Sequence, residues 1–347
     1  MKRVTLYLCM LIVMTLVVSC KKDGKTLFTP TSSGRPYEVL VVVNKAQWEK
    51  PVGRALFDVL DKDVPGLPQS ERSFRISTVS PDKFDRTFKI FRNIIIVDIQ
   101  DIYSKPKIKF SKDVYASPQI IMTIQAPDEE SFQNYVQKNG QVIIDFFVKS
   151  EMNRQINNLK EKHSLPVEAK VKSMFDVDVW IPTELEKYKL GKDFLWASSD
   201  GASVNMNFVI YSFPYTDKDT FTKEYFINKR DSVMKINIPG EREGMYMATD
   251  SMFVDVKDIV VRGDYAFEAR GLWQMENDMM GGPFVSHSRV DKANKRVIVV
   301  EGFIYSPDKL KRNVMRLMEA SLYTLQLPNE KSDSEIPVGE NMSEEKK

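Results

Sequence analysis

The periodicity of the apolar residues changes part-way along the chain, and that change constrains the fold more than any other feature. From Tyr37 to Lys149, β-branched runs alternate with amphipathic stretches. Tyr37 to Val43, Phe74 to Val79, Asn93 to Ile99 and Gln119 to Gln125 suit buried strands. Between them, Trp48, Val52, Leu56, Val59 and Leu60 fall on one helical face, and Phe84, Phe88 and Phe91 on another. Asp128-Glu129-Glu130 opens a long helix with its acids at the positive dipole end, striped by Phe132, Tyr135, Val136, Ile143, Phe146 and Phe147. The order βαβαββα predicts an α/β layered domain.

Beyond Pro166 the strands follow one another more directly: Ser173 to Ile181, Asp193 to Ser198, Ser203 to Phe213, Met252 to Val261, Asp264 to Met275 and Arg296 to Tyr305. One helix, from Asp217 to Ile236, interrupts them. Another, from Pro307 to Leu325, closes the chain with a stripe of Leu310, Val314, Leu317, Met318, Leu322 and Leu325. That pattern predicts a mostly antiparallel sheet covered by helices. The expected fold class is therefore α/β to α+β in two layered domains. The first, residues 37–165, alternates strands and helices, and the second, residues 166–327, is the α+β half. Pro328 to Lys347, acidic and without aromatics, reads as a disordered tail. Lys105-Pro106-Lys107-Ile108-Lys109 reads as a short solvated loop.

The N-terminus says where such a chain goes. Met1-Lys2-Arg3 precedes the apolar run Val4 to Val18, too short to span a bilayer comfortably but suited to a signal-peptide core. Val17-Val18-Ser19-Cys20 resembles a bacterial lipobox, so residues 1–19 read as a leader and Cys20 as the acylated N-terminus. Two or three acyl chains make attachment effectively permanent, because each buried methylene contributes roughly 0.8 kcal/mol. Residues 20–36, rich in Lys, Thr, Ser, Gly and Pro, read as a tether. Cys9 lies inside the leader, so no thiol remains for a disulfide, a zinc site or a nucleophile. Losing Lys2 and Arg3 from the 50 basic residues leaves them matched to the 48 acidic ones, which points away from a nucleic-acid partner.

Little catalytic chemistry is visible. Two histidines, His163 and His287, cannot make an HExxH motif or a His-rich metal centre. There is no nucleophile elbow, dinucleotide fingerprint or phosphate loop. No catalytic residue, metal or cofactor is assigned. Strand alternation places His287 opposite its neighbours Ser286 and Ser288, which argues against a serine–histidine pair. The most unusual stretch runs from Glu268 to Phe284. Here Arg270 and Trp273 lead into Glu276-Asn277-Asp278 and a Gly281-Gly282-Pro283 turn. With His287, these residues form the candidate binding surface. An aromatic beside two acids also suits a glycan hydrolase, while the plainer reading is a hairpin whose Trp plugs the core and whose acids face water.

Several segments together carry a family likeness: the lipobox, Tyr37 to Val43, Arg270-Gly271-Leu272-Trp273, Gly281-Gly282-Pro283-Phe284 and Gly302-Phe303-Ile304-Tyr305-Ser306-Pro307. On these the chain resembles an uncharacterised family of Bacteroidetes lipoproteins carrying a domain of unknown function. The resemblance brings no catalytic residues. It implies a Gram-negative envelope location, and Lys21 after Cys20 implies passage to the outer membrane, facing the periplasm, with a surface-facing anchor as the alternative. The expected function is a non-catalytic, lipid-anchored module that binds an envelope protein or glycan. An envelope hydrolase using loop carboxylates on glycan or peptidoglycan is the alternative. Replacing Cys20 with Ser should abolish fatty-acid labelling in cells and release the protein from the membrane fraction; undiminished label would refute the lipid assignment.

Overall fold

The computed structural model describes residues 29–201, 203–330, 334–338 and 343–344. The leader and Cys20 lie outside these. Two sheets organise the chain. In the first, β1 (Glu38–Val42), β2 (Arg75–Val79), β3 (Asn93–Ile99) and β5 (Ile120–Ala126) run parallel. β4 (Lys107–Lys112) runs antiparallel to β5, and the short β13 (Ser343–Glu344) lies parallel to β4 at the edge. The order is β13-β4-β5-β3-β1-β2. The second sheet is antiparallel throughout. Its order is β6 (Lys187–Gly191), β7 (Phe194–Ser198), β8 (Asn205–Pro214), β12 (Arg296–Tyr305), β11 (Gly281–Asp291), β10 (Asp264–Met275) and β9 (Met247–Val261). A mixed α/β sheet followed by an antiparallel α+β sheet is the expected fold class.

Helices α1 (Pro51–Leu60), α2 (Glu129–Lys138) and α3 (Gly140–Glu161) cover one face of the first sheet. Proline at the first turn of α1 starts it, and Val52, Leu56, Val59 and Leu60 then bury at helical spacing. Asp128 caps α2 by accepting from the Ser131 N–H at 2.7 Å. The single long helix expected from Asp128 is two, because the chain bends at Asn139. Gly140 there lets α3 approach α1, and a Cβ at that position would sit 2.9 Å from Val59.

Four further expectations change. Lys105 to Lys109 is not a loop: Lys107 begins β4, and Ile108 and Phe110 enter the first core while the lysines face outward. Two apolar residues at alternate positions outweigh the basic run. The strand expected at Ser173 to Ile181 begins instead as the end of helix α4 (Leu165–Phe175). Pro166 starts α4, Val167, Val171 and Phe175 bury at intervals of four, and Asp176 ends it in the left-handed region at φ 51°. The final helix, α6 (Arg312–Tyr323), starts later than expected, so Leu310 lies outside it and is 77% exposed. Val314 and Leu317 are half-buried, and Met315, Met318 and Leu322 carry the contact. The segment expected as a free tail is docked where it is described. Glu330 pairs with Arg289, and Ile336 enters the first core.

Helices α4 and α6 cover one face of the second sheet, and α5 (Lys223–Asn237) covers the other. β11 and β12 are consequently buried on both sides. Beneath α5, the fully buried Arg230 donates from Nε and Nη2 to Glu301 at 3.0 and 2.8 Å and lies 4.3 Å over the Phe284 ring. Helix α6 belongs to both cores. Met315, Met318, Leu322 and the following Leu325 pack in the second, whereas Ala320 and Tyr323 pack against the first. Its N-terminus is capped from the other domain, where the buried Glu71 accepts from the Lys311 and Arg312 backbone N–H groups at 2.7 and 2.8 Å. That reach explains the later start of the helix. Leu322→Ala should cost roughly 2–5 kcal/mol in urea denaturation, and Leu310→Ala less than about 0.5 kcal/mol; equal effects would contradict this packing.

Candidate functional site

A cleft of about 1170 Å³ lies between the two domains. One wall is α3, through Ile144, Val148 and Met152 with the polar Asp145 and Lys149 at the rim. The opposite wall is β9, from Asp255 to Val260. The loop between α1 and β2 closes one side, and Ser334 to Pro337 crosses another. At the floor sits a group of charged and polar side chains from β10 and α6, with His287 of β11 beside them.

Strand register and helical spacing bring this group together. Glu268 and Arg270 alternate on the α6-facing side of β10, and Glu268 stands directly opposite His287 on β11 and Lys257 on β9. On α6, Arg316, Glu319 and Tyr323 recur at intervals of three and four and meet them. Arg270 bridges two carboxylates: its Nη2 lies 2.6 Å from Glu268 Oε1 and 2.8 Å from Glu319 Oε1. Arg316 donates to the other oxygen of Glu319 at 3.2 Å, and Lys257 reaches Glu268 at 3.1 Å. His287, wholly buried, stacks edge-on to Tyr323 at 4.8 Å. Its Nε2 is 3.4 Å from Glu268 Oε2, and neither ring nitrogen makes a hydrogen bond among the described residues.

The electrostatics follow from these contacts. Burial pushes the Glu268 carboxyl upward, but the Arg270 guanidinium, aided by His287 and Lys257, outweighs it and holds that carboxyl well below its ordinary value. Glu319 is likewise held low against its burial by Arg270 and Arg316. Burial, reinforced by the Glu268 and Glu319 carboxylates, raises the Tyr323 phenol far above its usual range. At neutral pH the two acids are therefore ionised, the phenol is protonated, and neither acid has a proton to give. Removing one partner from such a buried network typically costs about 3–5 kcal/mol, because the other charges are left uncompensated.

Only part of the surface expected from sequence converges here. Arg270 and His287 come together through Glu268. Trp273 lies on the opposite face of β10, buried in the second core, where its Nε1 donates to the Ile304 carbonyl at 3.2 Å and its ring meets Phe303 at 5.6 Å. Glu276, Asn277 and Asp278 form the turn between β10 and β11, away from the cleft lining. Glu276 accepts from Gln274 at 3.0 Å, Asn277 donates to the Gly244 carbonyl at 3.0 Å, and Asp278 accepts from the Met279 N–H at 2.6 Å. Sequence reasoning missed Lys257, Glu268, Arg316, Glu319 and Tyr323 as site residues. The available signal was a charged pair three residues apart, Arg316 and Glu319, set inside the apolar stripe of α6. Among the described residues, no group of three or more His, Cys, Asp or Glu is placed to hold a metal ion.

Two family models match the chain. Residues 164–324, which contain the floor of the cleft, match one described as "Domain of unknown function (DUF4837)", and residues 32–160 match a second, "Domain of unknown function (DUF8532)". The chain carries two domains of unknown function. No curated protein matches it. No helix among the described residues is long and apolar enough to cross a membrane.

Glu268 and Glu319 have depressed values in the folded protein, so their contribution to stability is complete above the unfolded value of 4.5 and is lost as pH falls below it. The melting temperature should therefore fall on acidification below about pH 4.5. In Glu268→Gln that fall should be shallower, although the variant starts from a lower melting temperature at neutral pH. Parallel curves for the two proteins would contradict the assignment.

Proposed function

We propose that the chain is a lipid-anchored cell-envelope protein, of the kind found in Bacteroidetes, that binds another envelope component in its interdomain cleft without transforming it. The cleft carries this reading: about 1170 Å³ of space whose walls come from both domains and whose floor is a fixed set of paired charges. A concave space of this volume, lined by apolar side chains such as Ile144, Val148 and Met152 together with charged ones, has the size of a ligand site. The lipobox ending in Cys20 supports the anchor, and Lys21 the outer-membrane destination. Hydrolysis gains no support from the geometry. The acids at the floor are locked as carboxylates by arginine, and Glu276 and Asp278, the loop acids considered for proton transfer, lie outside the cleft.

The reading is tested with a photo-crosslinking amino acid placed in cells at Asp145, on the cleft wall, or at Asp278, on the β10–β11 turn. Adducts should form from position 145 and not from 278, and mass spectrometry then identifies their class. Adducts from 278 alone would move the site to the turn. Turnover of peptidoglycan by the purified protein, abolished in Glu276→Gln, would replace binding with catalysis.

A further inference from the structure

The wall formed by β9 is unusual because it presents its edge to the cleft. Six consecutive residues, Asp255 to Val260, line the space, so both faces and the backbone between them border it. β9 is the last strand of its sheet and pairs only with β10 among the described strands. The turn between them has two residues, Arg262 and Gly263, at φ 53° and 80°, and Val261 stands opposite Asp264. A two-residue turn of this kind closes on a hydrogen-bonded pair. Counting back by alternation, Val256, Asp258 and Val260 turn their N–H and C=O groups away from β10 and into the cleft. Those are three donors and three acceptors at the spacing of a strand ladder.

The same cleft already accommodates main chain. Ser334 to Pro337 crosses it, and there the Asn153 side-chain amide donates to the Ile336 carbonyl and accepts from the Ile336 N–H, both at 2.8 Å. The Ile336 side chain fills a gap in the first core. Side-chain chemistry along β9 narrows the partner further. Val256 and Val260 are exposed, at 37% and 63%, and call for aliphatic neighbours across the ladder. Lys257 is engaged by the buried Glu268. Asp255 makes no ion pair among the described residues, and Asp258 only accepts from the Tyr265 hydroxyl at 2.8 Å, so both carboxylates favour a cation opposite.

We infer that the ligand of the cleft is an extended, basic and aliphatic segment of a partner protein, which joins the second sheet as an added strand along β9. This rests on the binding reading above and gives it a substrate class. The mode is strand addition, in which main-chain bonds supply affinity and alternate side chains supply specificity.

Amide hydrogen exchange of the full chain tests it, with the synthetic octapeptide Thr-Val-Thr-Lys-Thr-Val-Thr-Thr as the probe, because valine, lysine and valine at alternate positions share the face that meets Val256, Asp258 and Val260. Exchange at Val256, Asp258 and Val260 should slow on adding the peptide, and the same peptide with glutamate in place of lysine should bind about tenfold more weakly. Val256→Pro removes one outward N–H and should abolish the protection, whereas Val256→Thr, which keeps it, should not. If the proline variant unfolds, Asp258→Lys serves instead and should reverse the preference between the two peptides. Absence of protection with either peptide overturns the inference, as does protection that survives Val256→Pro in a folded protein. Concentration-dependent protection without peptide would also overturn it, in favour of a second copy pairing on the same edge. Adducts from position 145 without β9 protection would leave the cleft as the binding site and remove only the strand.

Discussion

Arg270 is the residue on which the join between the two domains turns. Its guanidinium is the shared counter-charge of two buried carboxylates, one on the second sheet and one on α6, with Lys257 and Arg316 each supporting one of them. Because α6 also contributes Ala320 and Tyr323 to the first core, fixing α6 against β10 fixes the domains against each other. Glu71 completes the arrangement from the opposite side by neutralising the start of α6. The cleft is what remains where this contact stops. Its floor is rigid for the same reason that it is charged: each ion is held by at least one partner that cannot leave without exposing another.

Most of the fold was legible in the sequence because burial leaves a periodic trace. Asn93 to Ile99 and Asp264 to Met275 were bounded correctly, since β-branched or aromatic runs end there in polar turns. The failures have local causes. Residues 165–175 read poorly because a proline marks a break and the first turn of a helix alike, and Pro166 is the latter. Leu310 was assigned to the final stripe because nothing near it in sequence reveals that the cap comes from Glu71, 240 residues away for Lys311.

The site was less legible than the fold, and for a different reason. Lys257, Glu268, His287, Arg316 and Glu319 are scattered over four elements, and only pairing register and helix docking bring them together. Glu276 and Asp278 lie close to Trp273 along the chain, but the strand places Trp273 in the core while the turn carries the acids outward. Proximity along a hairpin is a poor guide to convergence when alternate residues face opposite sides.

The double membership of α6 has a consequence for the order in which the molecule is made. The first domain is synthesised first, yet part of its core, Ala320, Tyr323 and Ile336, lies in the last tenth of the chain. Until those residues emerge, a nascent chain has an unfilled hydrophobic surface on α3 and an acid, Glu71, with no helix to cap. Both domains are thus finished by the same late event, and a prematurely terminated chain lacks a piece of each. The arrangement couples the two halves in time: the segment from Arg312 to Ile336 completes the first core and the second together.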